Sequence, residues 1–384
     1  MPDDLQWSSQ AIPLDAATLP GAVMPDFSGG CVASVMPALV ERGTRPAPDW
    51  LPASLASAEQ VVLLVVDGLG ALQLAERRSL APAMSEMERS TITTVAPSTT
   101  AAALTSLATG LTPAEHGLLG YRLGQGNAVL NVLRWRLGEH DARNKIAPES
   151  YQPHLPFFGR PVPVVSRGHF GGSGFTDAHL RGAPLFGWSV ASSIPVEAGR
   201  LLRAGEPFVY AYYDGLDRIA HERGLGEHYD AEFAYVDHLV AELAAVLPPG
   251  AALAVSADHG EIEVTSRPID LAAETGVTAR LISGEGRFRW LHFAPAEVEP
   301  ACAALGAHLG ELAWVLTRDE LIATGIFGGD LSPTYRARLG DVAVIARQAV
   351  SFLDPADRGD AGLVGRHGSL SPSEMLVPLL GCRP

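Results

Sequence analysis

The chain has 384 residues, 47% of them hydrophobic, and 43 acidic side chains against 28 basic ones leave a formal net charge of −15. That length buries a large core, and one elaborated α/β domain is expected rather than several independent ones. The charge excludes a long nucleic-acid partner, which needs a basic face, and no apolar run approaches the roughly 18 residues of a membrane span.

Residues 1–54 contain several prolines and one short helix around Val35-Met36-Pro37-Ala38-Leu39-Val40, and read as an N-terminal arm lying on the core or beside its entrance. The opening Met1-Pro2-Asp3-Asp4-Leu5-Gln6-Trp7 is acidic and lacks the apolar stretch of a secretory leader. Cys31, Cys302 and Cys382 are isolated and without metal-site spacing, which fits a reducing compartment, so a cytoplasmic protein is expected.

The catalytic domain is expected over 55–384. Val61-Val62-Leu63-Leu64-Val65-Val66 reads as a buried strand that stops at Asp67-Gly68-Leu69-Gly70, a tight turn. A carboxylate there points into the crevice beyond the strand's carboxyl end, where open α/β sheets bind ligands. Pro97-Ser98-Thr99-Thr100 then leads into good helix formers over 99–107 that stop near Gly110, so Thr100 sits at a helix N-terminus with its free N–H groups and positive dipole end.

A Pro-, Gly- and Arg-rich stretch over about 121–184 predicts loops and short strands at the site mouth, with the core resuming near 185. Its Gly168-His169-Phe170-Gly171-Gly172-Ser173-Gly174 lacks the lysine of a phosphate loop and reads as a flexible loop over the sheet edge. The strand Pro207-Phe208-Val209-Tyr210-Ala211-Tyr212-Tyr213 precedes Asp217 and His221, whose spacing of four (221 − 217) puts both on one helical turn and within reach of one ion. An amphipathic helix with Phe233, Val236 and Val240 on one face follows, and its Asp237-His238 pair reads as structural.

Ala251-Ala252-Leu253-Ala254-Val255-Ser256 repeats the strand-then-ligand arrangement with Asp258-His259-Gly260. Residues of about 265–355 read as strand, helix, strand, a compact α+β cap in which Trp290 and Trp314 could stack on a base. Glycine-flanked His367 precedes a last strand at Leu376-Val377-Pro378-Leu379-Leu380. Aspartates and histidines at strand ends, with a threonine on a helix N-terminus, are the groups a two-metal phosphoryl-transfer site needs: a threonine hydroxyl attacks only when nearby positive charge stabilises its alkoxide. Imidazole and carboxylate donors without thiolates suit zinc, with manganese or iron able to use the same atoms.

These motifs, in this order, resemble the alkaline phosphatase superfamily and in particular its nucleotide pyrophosphatase/phosphodiesterase branch. The resemblance rests on Asp67-Gly68, Pro97-Ser98-Thr99-Thr100, Ala108-Thr109-Gly110, His116-Gly117, Asp217 with His221 and Gly224, Asp258-His259-Gly260 and His367-Gly368. It implies a mostly parallel central sheet flanked by helices on both faces, with the small cap inserted. It assigns Asp217, His221 and His367 to one divalent metal and Asp67, Asp258, His259 and the Thr100 hydroxyl to a second, with Thr100 as nucleophile. The implied activity is hydrolysis of small phosphate diesters through a covalent phosphothreonine-type intermediate. Phosphonate or phosphate monoester hydrolysis is the near alternative, and a non-catalytic, metal-containing phosphoester-binding protein is the second class.

The chain departs from the resemblance at one place. The asparagine that trails the nucleophile by about twenty residues is replaced by Tyr121, whose hydroxyl could hold the same phosphoryl oxygen, while Arg122 could pair with an additional negative charge and favour monoesters. Arg134 and Arg136 are further cation candidates. A sulfatase is excluded, because the corresponding segment lacks its modifiable Cys/Ser-x-Pro-x-Arg. The expected partner is a small phosphate ester, with no membrane and room for a homo-oligomer.

Overall fold

In the computed structural model, which describes residues 19–44, 46–357 and 359–384, the three apolar runs read as strands are strands, buried along almost their whole length: Gln60–Val66, Phe208–Tyr213 and Ala251–Ser256. Side chains alternate between the two faces of a sheet, so burial at consecutive positions means that both faces are covered. The strands belong to a seven-stranded sheet in the order Glu88–Thr93, Leu376–Cys382, Ala251–Ser256, Gln60–Val66, Phe208–Tyr213, Val164–Arg167, Leu185–Trp188, flanked by helices. Only Leu376–Cys382 runs against the others.

This topology puts the carboxyl ends of six strands at one edge, together with the start of the reversed strand, where Leu376 pairs with Thr93. The α/β class, the mostly parallel sheet and the helical flanks agree with the sequence reading. The core resumes earlier than expected: Val164–Arg167 is a strand of the central sheet, inserted between Phe208–Tyr213 and Leu185–Trp188. Four residues flanked by prolines and glycines carry too little periodicity to be separated from loop. The rest of the 121–184 stretch holds a small antiparallel meander from Arg122–Gln125 to His140–Asp141.

The described part of the N-terminal segment packs on the core and adds side chains to it, while parts of it, such as Gly43, Thr44, Pro46 and Ala47, stay exposed. Leu19, Met24, Val35, Met36 and Leu39 are buried in the main core, and the helix Val32–Val40 packs against Thr100–Thr109. Residues 1–18, which include the acidic opening read as lacking a leader, lie outside the described residues. The cap is a four-stranded antiparallel sheet in the order Leu281–Glu285, Phe288–His292, Val342–Ala346, Ala313–Thr317, with the helix Val298–Leu309 packed on it. Trp290 and Trp314 are buried on the sheet's other face, in the main core, rather than free to stack on a base. No helix among the described residues is long and apolar enough to cross a membrane.

His116 closes the turn after the Thr100–Thr109 helix. Its Nδ1 accepts the Leu118 N–H at 3.1 Å, so Nε2 carries the proton and donates to Ser106 Oγ at 2.9 Å. Burial, with His154 and Arg338 nearby, pushes its pKa from the ordinary 6.5 down to about 3. A histidine held neutral in the fold stabilises it above the unfolded value and loses that contribution as pH falls. The His116→Gln variant, compared with the wild type in urea melts at stepped pH, should therefore lack part of the wild type's loss of stability between about pH 6.5 and 3. Parallel curves for the two proteins would contradict this.

Candidate active site

Each sequence-predicted ligand arrives at the shared sheet edge from its own element. Asp67 follows Gln60–Val66, Asp258 and His259 follow Ala251–Ser256, and Asp217 and His221 lie on the helix Gly215–Arg223 that leaves Phe208–Tyr213. His367 precedes the reversed strand, and Thr100 opens the buried helix Thr100–Thr109. Two glycines let these elements meet. Gly68 has φ +78°, and a Cβ there would come within 3.2 Å of the Asp217 Cα; a Cβ on Gly365 would come within 2.6 Å of the Ala220 carbonyl oxygen.

The seven residues converge. Thr100 Oγ1 lies 3.2 Å from His259 Nε2, which is itself 3.4 Å from Asp67 Oδ1 and 3.4 Å from Asp258 Oδ2. Asp217 Oδ1 faces His221 Nε2 at 3.2 Å and His367 Nε2 at 3.8 Å. The His259 and His367 rings stack with centroids 3.5 Å apart, which joins the two groups into one cluster.

The chemistry of this cluster suits a cation. Asp67 Oδ1, Asp217 Oδ1, Asp258 Oδ2 and both oxygens of Glu261 are buried without a hydrogen-bond partner among the described residues. Burying unpaired carboxylates is among the costliest arrangements a protein can hold. Burial, then the charges of Asp258 and Asp217, pushes Asp67 well above the usual carboxylate range; burial also raises Asp258 and Glu261.

The histidines are set up for the same occupant. Nδ1 of His221 faces the Gly365 carbonyl at 2.7 Å, that of His367 the Ser98 carbonyl at 2.8 Å, and that of His259 the Gly260 carbonyl at 3.2 Å. A carbonyl can only accept, so each Nδ1 carries the proton and each Nε2 keeps a lone pair directed at the carboxylates, as metal-ligating imidazoles do. Donor atoms of Asp67, Asp258 and His259 lie within 4.8 Å of one another, as do those of Asp217, His259, Glu261 and His367. The residues present therefore fit divalent metal ions.

Beside the cluster opens a cavity of about 430 Å³, within the range of small-ligand sites. Leu133, Phe170, Phe175, Leu180 and Leu185 give it an apolar wall, and Thr100, Asp67, Asp217 and His367 lie at its polar end. The glycine-rich 168–174 segment is part of that wall: it forms a short 3₁₀ turn and then an N-cap, with Ser173 Oγ accepting from Thr176 N–H. Tyr121 lines the cavity, its hydroxyl accepting from Asn131 Nδ2 at 2.8 Å.

Arg122 corrects an expectation. It is buried against the cap, paired with Asp354 and 3.5 Å from Asp357, and does not line the cavity. The acidic partners lie more than 200 residues away in sequence, so nothing local could have foretold them. Arg136 turns to Glu139, whereas Arg134 lines the cavity from an exposed position.

Three residues the sequence reading missed also belong here. Tyr212 donates its hydroxyl hydrogen to Asp67 Oδ2. Glu261, two residues after His259, could have been found from its place beside the motif. Glu285, on the cap's hairpin, lines the cavity with one oxygen unpartnered and the other accepting the Tyr121 N–H at 3.1 Å; burial pushes it up to about 8. Nothing in the cap's sequence marks it.

A mostly parallel sheet that gathers carboxylates, imidazoles and a helix-start threonine at one edge defines an alkaline-phosphatase-like hydrolase. The chain matches the family "Type I phosphodiesterase / nucleotide pyrophosphatase" over residues 61–163 and 190–370 and belongs to it, a family of hydrolases of phosphoester and phosphoanhydride bonds. Among solved structures it is similar to murine ectonucleotide pyrophosphatase/phosphodiesterase 5, at 16% identity and a TM-score of 0.64 over 85% of this chain and 88% of that one. The human protein of the same name gives 15% identity and 0.64 over 85% and 88%. An inactive form of the murine protein in complex with AMP gives 16% and 0.63 over 84% and 87%. At these identities the likeness is one of fold. No curated protein matches the chain by sequence.

Tyr212 fixes the orientation of Asp67, and loss of such an outer hydrogen bond typically weakens metal affinity about 10–100-fold. Tyr212→Phe is expected to show that loss in a zinc competition titration against a chromogenic chelator. Wild-type affinity would show that Asp67 needs no such support.

Proposed function

We propose that the chain hydrolyses small phosphate diesters and nucleotide-type anhydrides, with Thr100 as nucleophile and two divalent ions. One ion is assigned to Asp217, His221 and His367, the other to Asp67, Asp258, His259 and the Thr100 hydroxyl. Zinc is the ion proposed, and manganese or iron could use the same donors. The observation that carries the reading is the Thr100 hydroxyl, at the N-terminus of a buried helix and 3.2 Å from His259 Nε2, inside a cluster of unpaired buried carboxylates. When bound, the ions supply the positive charge that stabilises a threonine alkoxide and the charge developing on the phosphoryl oxygens.

The chain's own groups do the rest. Thr100 Oγ1 attacks phosphorus and the ester oxygen leaves; water then hydrolyses the phosphothreonine. Free N–H groups and the dipole at the helix start favour negative charge on Thr100 and on the phosphoryl oxygens. Burial pushes the Tyr121 hydroxyl up, which keeps its proton, so with Asn131 donating to its oxygen it remains a donor for a phosphoryl oxygen. That is the role the family asparagine would have.

Diesters are favoured over monoesters because the arginines buried at or near the cavity are already paired: Arg366, which lines it, meets Asp360 at 2.7 Å, and Arg122 is taken by Asp354. The apolar wall suits a nucleoside or another organic group on the phosphate, in keeping with the AMP found in the murine protein's complex. Cytoplasmic residence is part of the proposal, supported by three free cysteines.

Thr100→Ala should lower kcat for bis-p-nitrophenyl phosphate on the order of 10³-fold or more, the scale on which loss of a nucleophile acts, without displacing zinc entirely. Near-wild-type turnover in the zinc-replete variant would remove Thr100 from the mechanism. The wild type should also turn over bis-p-nitrophenyl phosphate with a higher kcat/KM than p-nitrophenyl phosphate. A strong monoester preference would instead point to Arg134 as the cation that reaches the phosphate.

A further inference from the structure

The cluster holds one carboxylate more than the resemblance assigns. Glu261 lies in the turn after Ala251–Ser256, fully buried, and neither of its side-chain oxygens has a hydrogen-bond partner among the described residues. The turn is tied down on both sides, with Gln73 Nε2 donating to the Glu261 carbonyl and Gly260 N–H donating to the Glu374 carbonyl at 2.9 Å. The side chain is thereby held inward. One of its oxygens lies within 4.8 Å of ligand atoms of Asp217, His259 and His367, and a Cβ on Gly68 would sit 3.3 Å from Glu261 Oε1, so the glycine leaves room for it.

Glu374 shows what this fold does with a buried glutamate whose task is structural. Arg287 meets both its oxygens, at 2.7 and 2.8 Å. No arginine or lysine among the described residues forms an ion pair with Glu261, and its neighbours are another carboxylate and the Nε2 lone pairs of two histidines. Oxygen and nitrogen lone pairs converging from four side chains are the donor set a divalent cation takes.

We propose that Glu261 is a further protein ligand of the metal ion held by Asp217, His221 and His367. The proposal rests on the two-metal reading above. The competing role is that of a protonated acid whose O–H only supports the Asp217 carboxylate from behind. Glu261→Gln separates the two, because a glutamine amide can donate to Asp217 as a protonated glutamate would but is a far poorer ligand than a carboxylate.

The test is a zinc titration of metal-free wild type and Glu261→Gln protein against a chromogenic chelator, with bound ions counted by native mass spectrometry. The wild type should bind two ions; the variant should bind one as the wild type does and the other at least about tenfold more weakly. Two ions at wild-type affinity in Glu261→Gln would overturn the proposal while leaving the two-metal reading intact. Fewer than two ions in the wild type would defeat that reading and the proposal with it. Thermal melts guard against a folding artefact. Without metal, the variant should melt at or above the wild type, since one of four crowded carboxylates is gone, and zinc should raise its melting temperature less. An equal rise in both proteins would also overturn the proposal.

Discussion

Mutual repulsion among buried carboxylates is the constraint around which this molecule is organised. Asp67, Asp217, Asp258 and Glu261 converge with buried, unpaired oxygens, and the nearest nitrogens belong to imidazoles whose lone pairs face them. Desolvation alone makes such a cluster costly, and a cation at its centre turns the same oxygens from a liability into a binding site. The helix start that carries Thr100 and the hydroxyl of Tyr212 supply local hydrogen-bond and dipole support, but neither brings a full positive charge.

The fold serves this constraint through strand direction. Five adjacent strands run parallel, so each has its carboxyl end at the same edge, and the reversed strand Leu376–Cys382 brings the preceding His367 there from the other direction. Ligands separated by as many as 300 residues in the chain (367 − 67) are thus brought together by strand order rather than by any local motif. The cap reaches the same edge from outside. Its Glu285 touches the Tyr121 backbone, and its acidic residues absorb Arg122, which removes a cation from the cavity and leaves an apolar wall opposite the polar end. Fold and cavity charge are coupled at that arginine: the ion pair that holds Arg122 against Asp354 also keeps its charge out of the cavity lining.

What could be read from sequence follows from how local each signal was. Asp67 and Asp258 stood at the ends of apolar runs, Asp217 and His221 were spaced by one helical turn, and Thr100 opened a run of alanines; each is a property of fewer than about ten residues. Glu261 is equally local but stands outside the ligand pattern of the resemblance. Glu285, Tyr212 and the partner of Arg122 depend on contacts between distant segments, which no periodicity encodes. The strand Val164–Arg167 was hidden for a different reason, since four residues between prolines and glycines do not establish a period. The N-terminal helix was visible as a helix, but its burial against Thr100–Thr109 was not, because an apolar face does not say which surface it meets.

The central claim is that two divalent ions hold these carboxylates together and flank the Thr100 hydroxyl. A crystal structure of zinc-loaded protein, with diffraction recorded on both sides of the zinc absorption edge, tests it most directly. The account predicts two anomalous peaks, one among Asp67, Asp258, His259 and Thr100 Oγ1 and one among Asp217, His221 and His367. A cluster with no peak, or a single ion with Thr100 turned away from it, would contradict the account.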